Sequence, residues 1–143
     1  MRPGFRIGIG AETQWDGARG VGAKFAEFAE AQGLAAAIRR SVSVALDELL
    51  ANTIAYGGAA RIVVDVTLHP DRLSVMLIDD GRPFDPFGRE APPAPPAPVP
   101  GTAQPLEERS IGGDGIHLVQ RMMDDVRYER RADRNVVVLT KRL

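Results

Sequence analysis

Apolar residues in the first 60 positions recur at the spacing of amphipathic helices. In residues 17–32 the apolar positions lie three or four apart, and Gly33 follows as a helix stop. Residues 35–56 carry a longer stripe of the same kind, and two glycines follow it. The first stripe consists of Val21, Phe25, Phe28 and Ala29, and the second of Val42, Leu46, Leu49, Leu50 and Thr53. The pattern predicts two consecutive helices.

Alternating apolar and polar residues predict strands elsewhere. Residues 62–68 and 73–78 alternate on either side of a Pro-Asp turn, which is the pattern of a β-hairpin. Residues 5–10 predict a short edge strand before the helices. Residues 126–130 and 135–143 predict two closing strands.

A short helix is expected ahead of the closing strands, opening at Gly113 or Gly115. The resulting order is β-α-α-β-β-loop-α-β-β, and most strands are neighbours in sequence. This order predicts an α+β fold: a two-layer α/β sandwich with a mixed, mostly antiparallel sheet and helices on one face. The βα alternation of a doubly wound sheet is missing.

A stretch of only proline, alanine and one valine, APPAPPAPVP at 91–100, separates the hairpin from the last helix. It can be a linker between two domains or a loop that closes over a ligand. The chain beyond it, 106–143, would supply one helix and one hairpin, which make a poor independent core. We therefore expect one domain over residues 1–143.

Composition narrows the classes of partner. The 18 basic and 19 acidic residues give a formal charge of −1, which predicts no bulk attraction to nucleic acid or to anionic membranes. There is no cysteine, so neither disulfides nor cysteine-based zinc sites are possible. The first residues lack the apolar stretch of a signal peptide, and no run is long enough to span a membrane. The expected location is the cytoplasm.

Three short motifs carry candidate chemistry, each with a plain structural alternative. In ELLAN, Glu48 and Asn52 lie four apart and share one helical face beside the apolar stripe, at the edge of the core. A carboxylate there can take a proton from a hydroxyl, and an amide oxygen there can bind a hard cation. The alternative is a solvated helix flank.

The other two motifs lie at predicted element ends. DDGRPFDP begins at Asp79, where a strand ends, and Gly81 lets the backbone turn or approach a ligand. IGGDGIH places Gly113 and Gly115 ahead of a helix, where free N–H groups can hold phosphate. The alternatives are an ordinary Asp-Gly turn and a hinge without a ligand.

Together the three motifs resemble the GHKL ATPase superfamily, which has the Bergerat ATP-binding fold. The match runs from about residue 5 to 140 through ALDELLANTIAYG, IDDGRPFDP and SIGGDGIHLVQRMMDDVRYER, in that order. Within the superfamily the chain is similar to the stand-alone anti-sigma-factor serine kinases of bacteria. The glycine turn with its following helix and strand is the most specific part.

The resemblance implies ATP and Mg²⁺ as cofactors and a role for each matching residue. Glu48 would be the catalytic residue that polarises the attacking hydroxyl, and Asn52 the Mg²⁺ ligand. Asp79 would bind the adenine amino group, with Gly81 beside it.

The remaining matches lie around the lid. Gly113 and Gly115 would close on the phosphates, and the proline-rich loop at 83–112 would be the ATP lid. Arg109, next to the glycine turn, is our candidate for a lid cation facing the γ-phosphate. Two positions depart from the family: Tyr56 replaces a frequent histidine, and Asp114 lies where an apolar residue is usual.

The family's usual partners are a sigma factor and a STAS-type antagonist whose serine is phosphorylated, and homodimers are common. The first hypothesis is therefore a protein-serine kinase that also acts as an anti-sigma factor. Tyr56 and Asp114 motivate a second, a non-catalytic ATP-gated binding module. A third is the detached catalytic domain of a histidine kinase.

Overall fold

The chain begins with an edge strand that leads directly into the helical layer. In the computed structural model, which describes residues 2–87 and 114–143, strand β1 spans Gly4–Gly10 and a 3₁₀ turn spans Ala11–Thr13. The other elements are α1 Gln14–Ala31, α2 Ala36–Tyr56, β2 Arg61–Leu68, β3 Arg72–Asp79, α3 Asp114–Met122, β4 Asp125–Arg131 and β5 Arg134–Arg142. The predicted element order is confirmed.

The five strands form one sheet in the order β1-β2-β3-β5-β4. Each pair of neighbours within the described chain is antiparallel. β3 is therefore the central strand, with β2 and β5 on its two sides. This is the predicted α+β architecture, with a sheet more uniformly antiparallel than the mixed one we expected.

The helices cover one face of this sheet. Strand residues of that face alternate with residues that are only half-buried, which is the period of a strand with one covered face. The buried strand side chains include Ile62, Val64, Val66, Leu73, Val75, Leu77, Val137 and Leu139. They form a single cluster with the predicted apolar residues of α1 and α2, with Val119 of the third helix and with Met123 just after that helix. None of the helices in 2–87 and 114–143 combines the length and apolar content needed to cross a bilayer.

Helix α1 begins three residues earlier than predicted, because the apolar stripe that predicted it begins only at Val21. A glycine lies where this helix contacts β1. At Gly17 an added Cβ would lie 2.6 Å from Cγ2 of Ile9, which is a buried core residue. Here the missing side chain is what lets the helix approach the strand.

Substitution of Gly17 by alanine tests this contact. We expect Gly17→Ala to lower the free energy of unfolding by about 1–3 kcal/mol through overpacking against Ile9. Gly20→Ala is the matched control in the same helix, because a Cβ there meets no atom within 4 Å. It should raise the free energy of unfolding by about 0.5–1 kcal/mol through helix propensity. Urea unfolding measures both variants. An equal rise in the free energy of unfolding in both would contradict the close contact between Gly17 and Ile9.

Candidate functional site

The C-terminal end of α2 meets the turn that follows β3. The backbone N–H of Arg82 donates to the carbonyl of Gly57 at 3.0 Å. The rings of Tyr56 and Phe84 lie with their centroids 6.1 Å apart and their planes tilted by 31°. An added Cβ at Gly81 would collide with the Gly57 carbonyl, so only glycine allows this approach. These contacts bring the first two sequence motifs together at one end of the sheet.

Asn52 lies on α2 one turn before that contact. Its side chain is only 3% exposed, and its Nδ2 is buried without a hydrogen-bond partner among the described residues. An unpaired buried polar group costs about 1–3 kcal/mol. The same status is found for Nε of Arg39 and Nδ1 of His69, but only Asn52 is near the turn that follows β3, which makes it the candidate for contact with a ligand. We expected Asn52 and Tyr56 at the edge of the core. They lie deeper, and the ring of Phe84 from the following turn packs against Tyr56.

Glu48 lies one turn further back on the same face of α2 and is half-buried. Burial raises the pKa of its carboxyl above the ordinary 4.5, and the negative charge of the adjacent Asp47 raises it further. A carboxylate with a raised pKa is a better proton acceptor near neutral pH than an ordinary surface glutamate.

Asp79 closes β3 with a carboxylate that is 5% exposed. Its Oδ1 accepts hydrogen bonds from the N–H of Gly81 at 2.9 Å and from Nδ2 of Asn135 at 3.0 Å. Burial raises its pKa, and these two hydrogen bonds, with the charge of Arg130, oppose that rise. No hydrogen bond from a described residue reaches Oδ2, so this oxygen can accept one from a ligand.

The neighbouring Asp80 has a different, structural task. Its Oδ1 accepts from the N–H groups of Ala60 at 2.8 Å and Arg61 at 2.9 Å, which braces the start of β2. The hydrogen bond from Arg61 is the main reason that its pKa lies below the ordinary range. Of the two adjacent aspartates, only Asp79 is directed into the site.

Some predicted site residues cannot be placed. Arg109, Gly113 and most of the proposed lid at 83–112 lie outside the described residues. Gly115 lies in the first turn of α3, which begins at Asp114 as the glycine pattern predicts. Their assigned roles stay predictions.

Sequence reasoning missed Asn135, the residue that contacts Asp79 from β5. It is 2% exposed and lies at the start of an apolar strand. A signal was present, because Asn135 shares the inward register with Val137 and Leu139. A polar residue at an inward position needs partners, and this position therefore marked a buried polar network.

The family model described as histidine kinase-like ATPase domain matches residues 13–141. The chain belongs to this family. The match confirms the resemblance to the GHKL superfamily, and membership of an ATPase family implies that the domain binds ATP.

A solved structure shows the same fold. The chain is similar to the crystal structure of the RsbU and RsbW domains of Rv1364c from Mycobacterium tuberculosis, with a TM-score of 0.67 at 19% identity. The match covers 99% of this chain and 32% of that one, so this chain spans about a third of its structural neighbour. No curated protein matches the sequence at a significant level.

The pKa values of Asp79 and Asp80 are shifted in opposite directions, which predicts opposite effects of their ionisation on stability. Asp79 has a raised pKa in the folded protein, so its ionisation lowers stability as pH rises from 3.8 through the raised value. Asp79→Asn should therefore keep or raise Tm at pH 7. Asp80 has a lowered pKa, so its contribution is present above 3.8 and is lost as pH falls through the lowered value.

Asp80→Asn is the matched control and should lower Tm at pH 7, because it weakens two hydrogen bonds that a carboxylate accepts. Thermal unfolding of the wild type and both variants between pH 2 and 8 checks the signs. A loss in Asp79→Asn as large as that in Asp80→Asn would contradict the assignment.

Proposed function

We propose that the chain is an ATP-dependent protein-serine kinase that binds a sigma factor and phosphorylates a serine of a STAS-type antagonist. The observation that carries the proposal is the unpaired amide of Asn52, buried beside the Asp79 turn in an ATPase-family domain. The likeness to a structure that contains an RsbW domain is consistent with the proposal.

Adenine would bind at Asp79. The free Oδ2 of its carboxylate would accept a hydrogen bond from the 6-amino group of the base. Gly81 would keep the turn close to α2, because the Gly57 carbonyl occupies the place of its missing side chain. A buried acceptor of this kind selects a base with a donor at that position, because a base without one leaves the carboxylate oxygen unpaired.

Asn52 fits Mg²⁺ as a single protein ligand. Rotation of its amide by 180° exchanges Nδ2 and Oδ1, which would turn the amide oxygen toward the place where Nδ2 lacks a partner. Mg²⁺ is commonly held by one or two protein oxygens, with the rest supplied by phosphate and water. This agrees with the described residues, which contain no cluster of three potential acidic or histidine ligands. The ion would neutralise charge on the phosphates.

Glu48 would accept the proton of the incoming serine hydroxyl. Phosphoryl transfer depends mostly on positioning and on charge neutralisation. One oriented general base is therefore the only proton acceptor that the protein needs to supply. Helix α3 begins at Asp114, and the N–H groups of a helix N-terminus are suited to phosphate. We propose that Gly113 and Gly115 with Arg109 complete the phosphate side.

A non-catalytic ATP-gated binding module is the second candidate. Tyr56 stands where many members of the family carry histidine, and its buried ring packs against Phe84. This packing gives Tyr56 a structural task in addition to any contact with the nucleotide. A domain of this kind would bind ATP and a partner protein without transferring phosphate.

Glu48→Gln separates the two candidates. We expect transfer of ³²P from ATP to the STAS partner to fall by about 10²–10⁴-fold, the usual contribution of a general base, with ATP affinity nearly unchanged. In the wild type the rate should fall as pH falls through the raised pKa of Glu48. Absence of transfer in the wild type, with ATP bound, would favour the second candidate.

Asp47→Asn is the matched control. It removes the neighbouring negative charge and lowers the pKa of Glu48, so the acidic limb of the rate profile should move to lower pH. The rate at pH 8 should be close to that of the wild type. Unchanged transfer in Glu48→Gln would contradict the role of Glu48.

Asn52→Ala tests the metal site. The wild type should bind ATP more tightly with Mg²⁺ than with EDTA, and the variant should lose most of this difference. Calorimetric titrations under both conditions measure it, with Asn52→Gln as a variant that keeps the amide but moves it. A full Mg²⁺ effect in Asn52→Ala would show that another group holds the ion.

A further inference from the structure

The oxygen of the buried Asn135 amide accepts three hydrogen bonds. Oδ1 accepts from the phenol of Tyr128 at 2.6 Å, from Nη1 of Arg130 at 3.2 Å and from the N–H of Phe84 at 3.3 Å. Two of these donors come from β4, the neighbouring strand of the same hairpin. The third comes from the turn that follows β3.

The nitrogen of the same amide donates in two directions. Nδ2 donates to Oδ1 of Asp79 at 3.0 Å and to the carbonyl of Arg82 at 2.8 Å. All five contacts agree with one orientation of the amide. A 180° rotation would bring Nδ2 against three donors and Oδ1 against two acceptors, so the orientation is fixed.

A fixed amide fixes the carboxylate that it contacts. Oδ1 of Asp79 already accepts from Asn135 and from the N–H of Gly81, and these two bonds determine the plane of the carboxylate. Oδ2 then points in one direction only. Since a hydrogen bond weakens steeply with angle, this direction decides how well the carboxylate pairs with a base amino group.

The same cluster also fixes the backbone of the turn. Nη1 of Arg130 donates to the carbonyl of Gly81 at 2.8 Å, while Asn135 contacts the backbone of Arg82 and Phe84. The path of residues 81–84 and the orientation of the Asp79 carboxylate therefore depend on the same side chains. Neither can change without breaking hydrogen bonds of the other.

We propose that Asn135 and Arg130 are positioning residues for base recognition: they aim the free oxygen of Asp79 and hold the turn 81–84 against it. Neither residue needs to touch the nucleotide. Tyr128 supports them by its hydrogen bond to the Asn135 oxygen. The inference rests on the proposed binding of ATP at Asp79.

A selectivity measurement distinguishes positioning from a purely structural role. The two ligands are ATP and purine riboside triphosphate, which lacks only the 6-amino group. We expect the wild type to bind ATP about 10- to 100-fold more tightly, the range for a hydrogen bond to a charged group. Variants that misdirect Asp79 should lose affinity for ATP and keep their affinity for the analogue.

Arg130→Gln and Arg131→Gln form a matched pair on adjacent residues of β4. Arg131 points to the opposite face and pairs with Glu129 at 2.8 Å, so its replacement should leave the ratio of the two dissociation constants unchanged. Arg130→Gln should reduce this ratio about 3- to 10-fold, as expected for one lost hydrogen bond. Circular dichroism checks that both variants are folded.

Asn135→Asp is a second test, because aspartate has nearly the same shape as asparagine but carries a negative charge. It places a carboxylate against Asp79 and should abolish the preference for ATP. An unchanged ratio in Arg130→Gln and Asn135→Asp, or an equal loss for both ligands, would overturn the inference while ATP binding stands. A wild type that binds neither nucleotide would overturn the proposed function itself.

Discussion

A carboxylate buried at the end of the central strand is the constraint on which the candidate site depends. Burial of an ionised group is strongly unfavourable unless hydrogen bonds compensate it. At Asp79 they come from the turn that follows, through the N–H of Gly81, and from β5, through Asn135. The site is therefore assembled where β3, β5 and the 81–84 turn meet. A shift of one of these segments would break hydrogen bonds to the others.

The second constraint is how closely α2 approaches this turn. The carbonyl of Gly57 accepts from Arg82 and lies where a side chain at Gly81 would be. The helix that carries Glu48 and Asn52 is thereby held next to the carboxylate of Asp79. The amide of Asn52 is buried with this part of the helix, and its Nδ2 has no hydrogen-bond partner among the described residues. In the proposed function, a ligand supplies that partner.

Much of this could be predicted from the sequence, because periodicity reports burial. The two helical stripes and the alternation of β2, β3 and β5 determined which residues form the core. Asp79 was a candidate because the Asp-Asp-Gly sequence at a strand end is visible locally. Asn135 was not, because its significance depends on pairing between β3 and β5, which brings together residues 56 positions apart. Arg130 and Tyr128 were missed for the same reason.

The central claim is that one nucleotide binds between Asn52 and the Asp79 network. The chain contains only two asparagines, Asn52 and Asn135, so selective labelling with ¹⁵N-asparagine gives two side-chain amide signals. Titration with a non-hydrolysable ATP analogue and Mg²⁺, followed by NMR, reports on both ends of the site at once. The account predicts that both signals move with the same dissociation constant. Saturation by the nucleotide without movement of the Asn52 signal would contradict it.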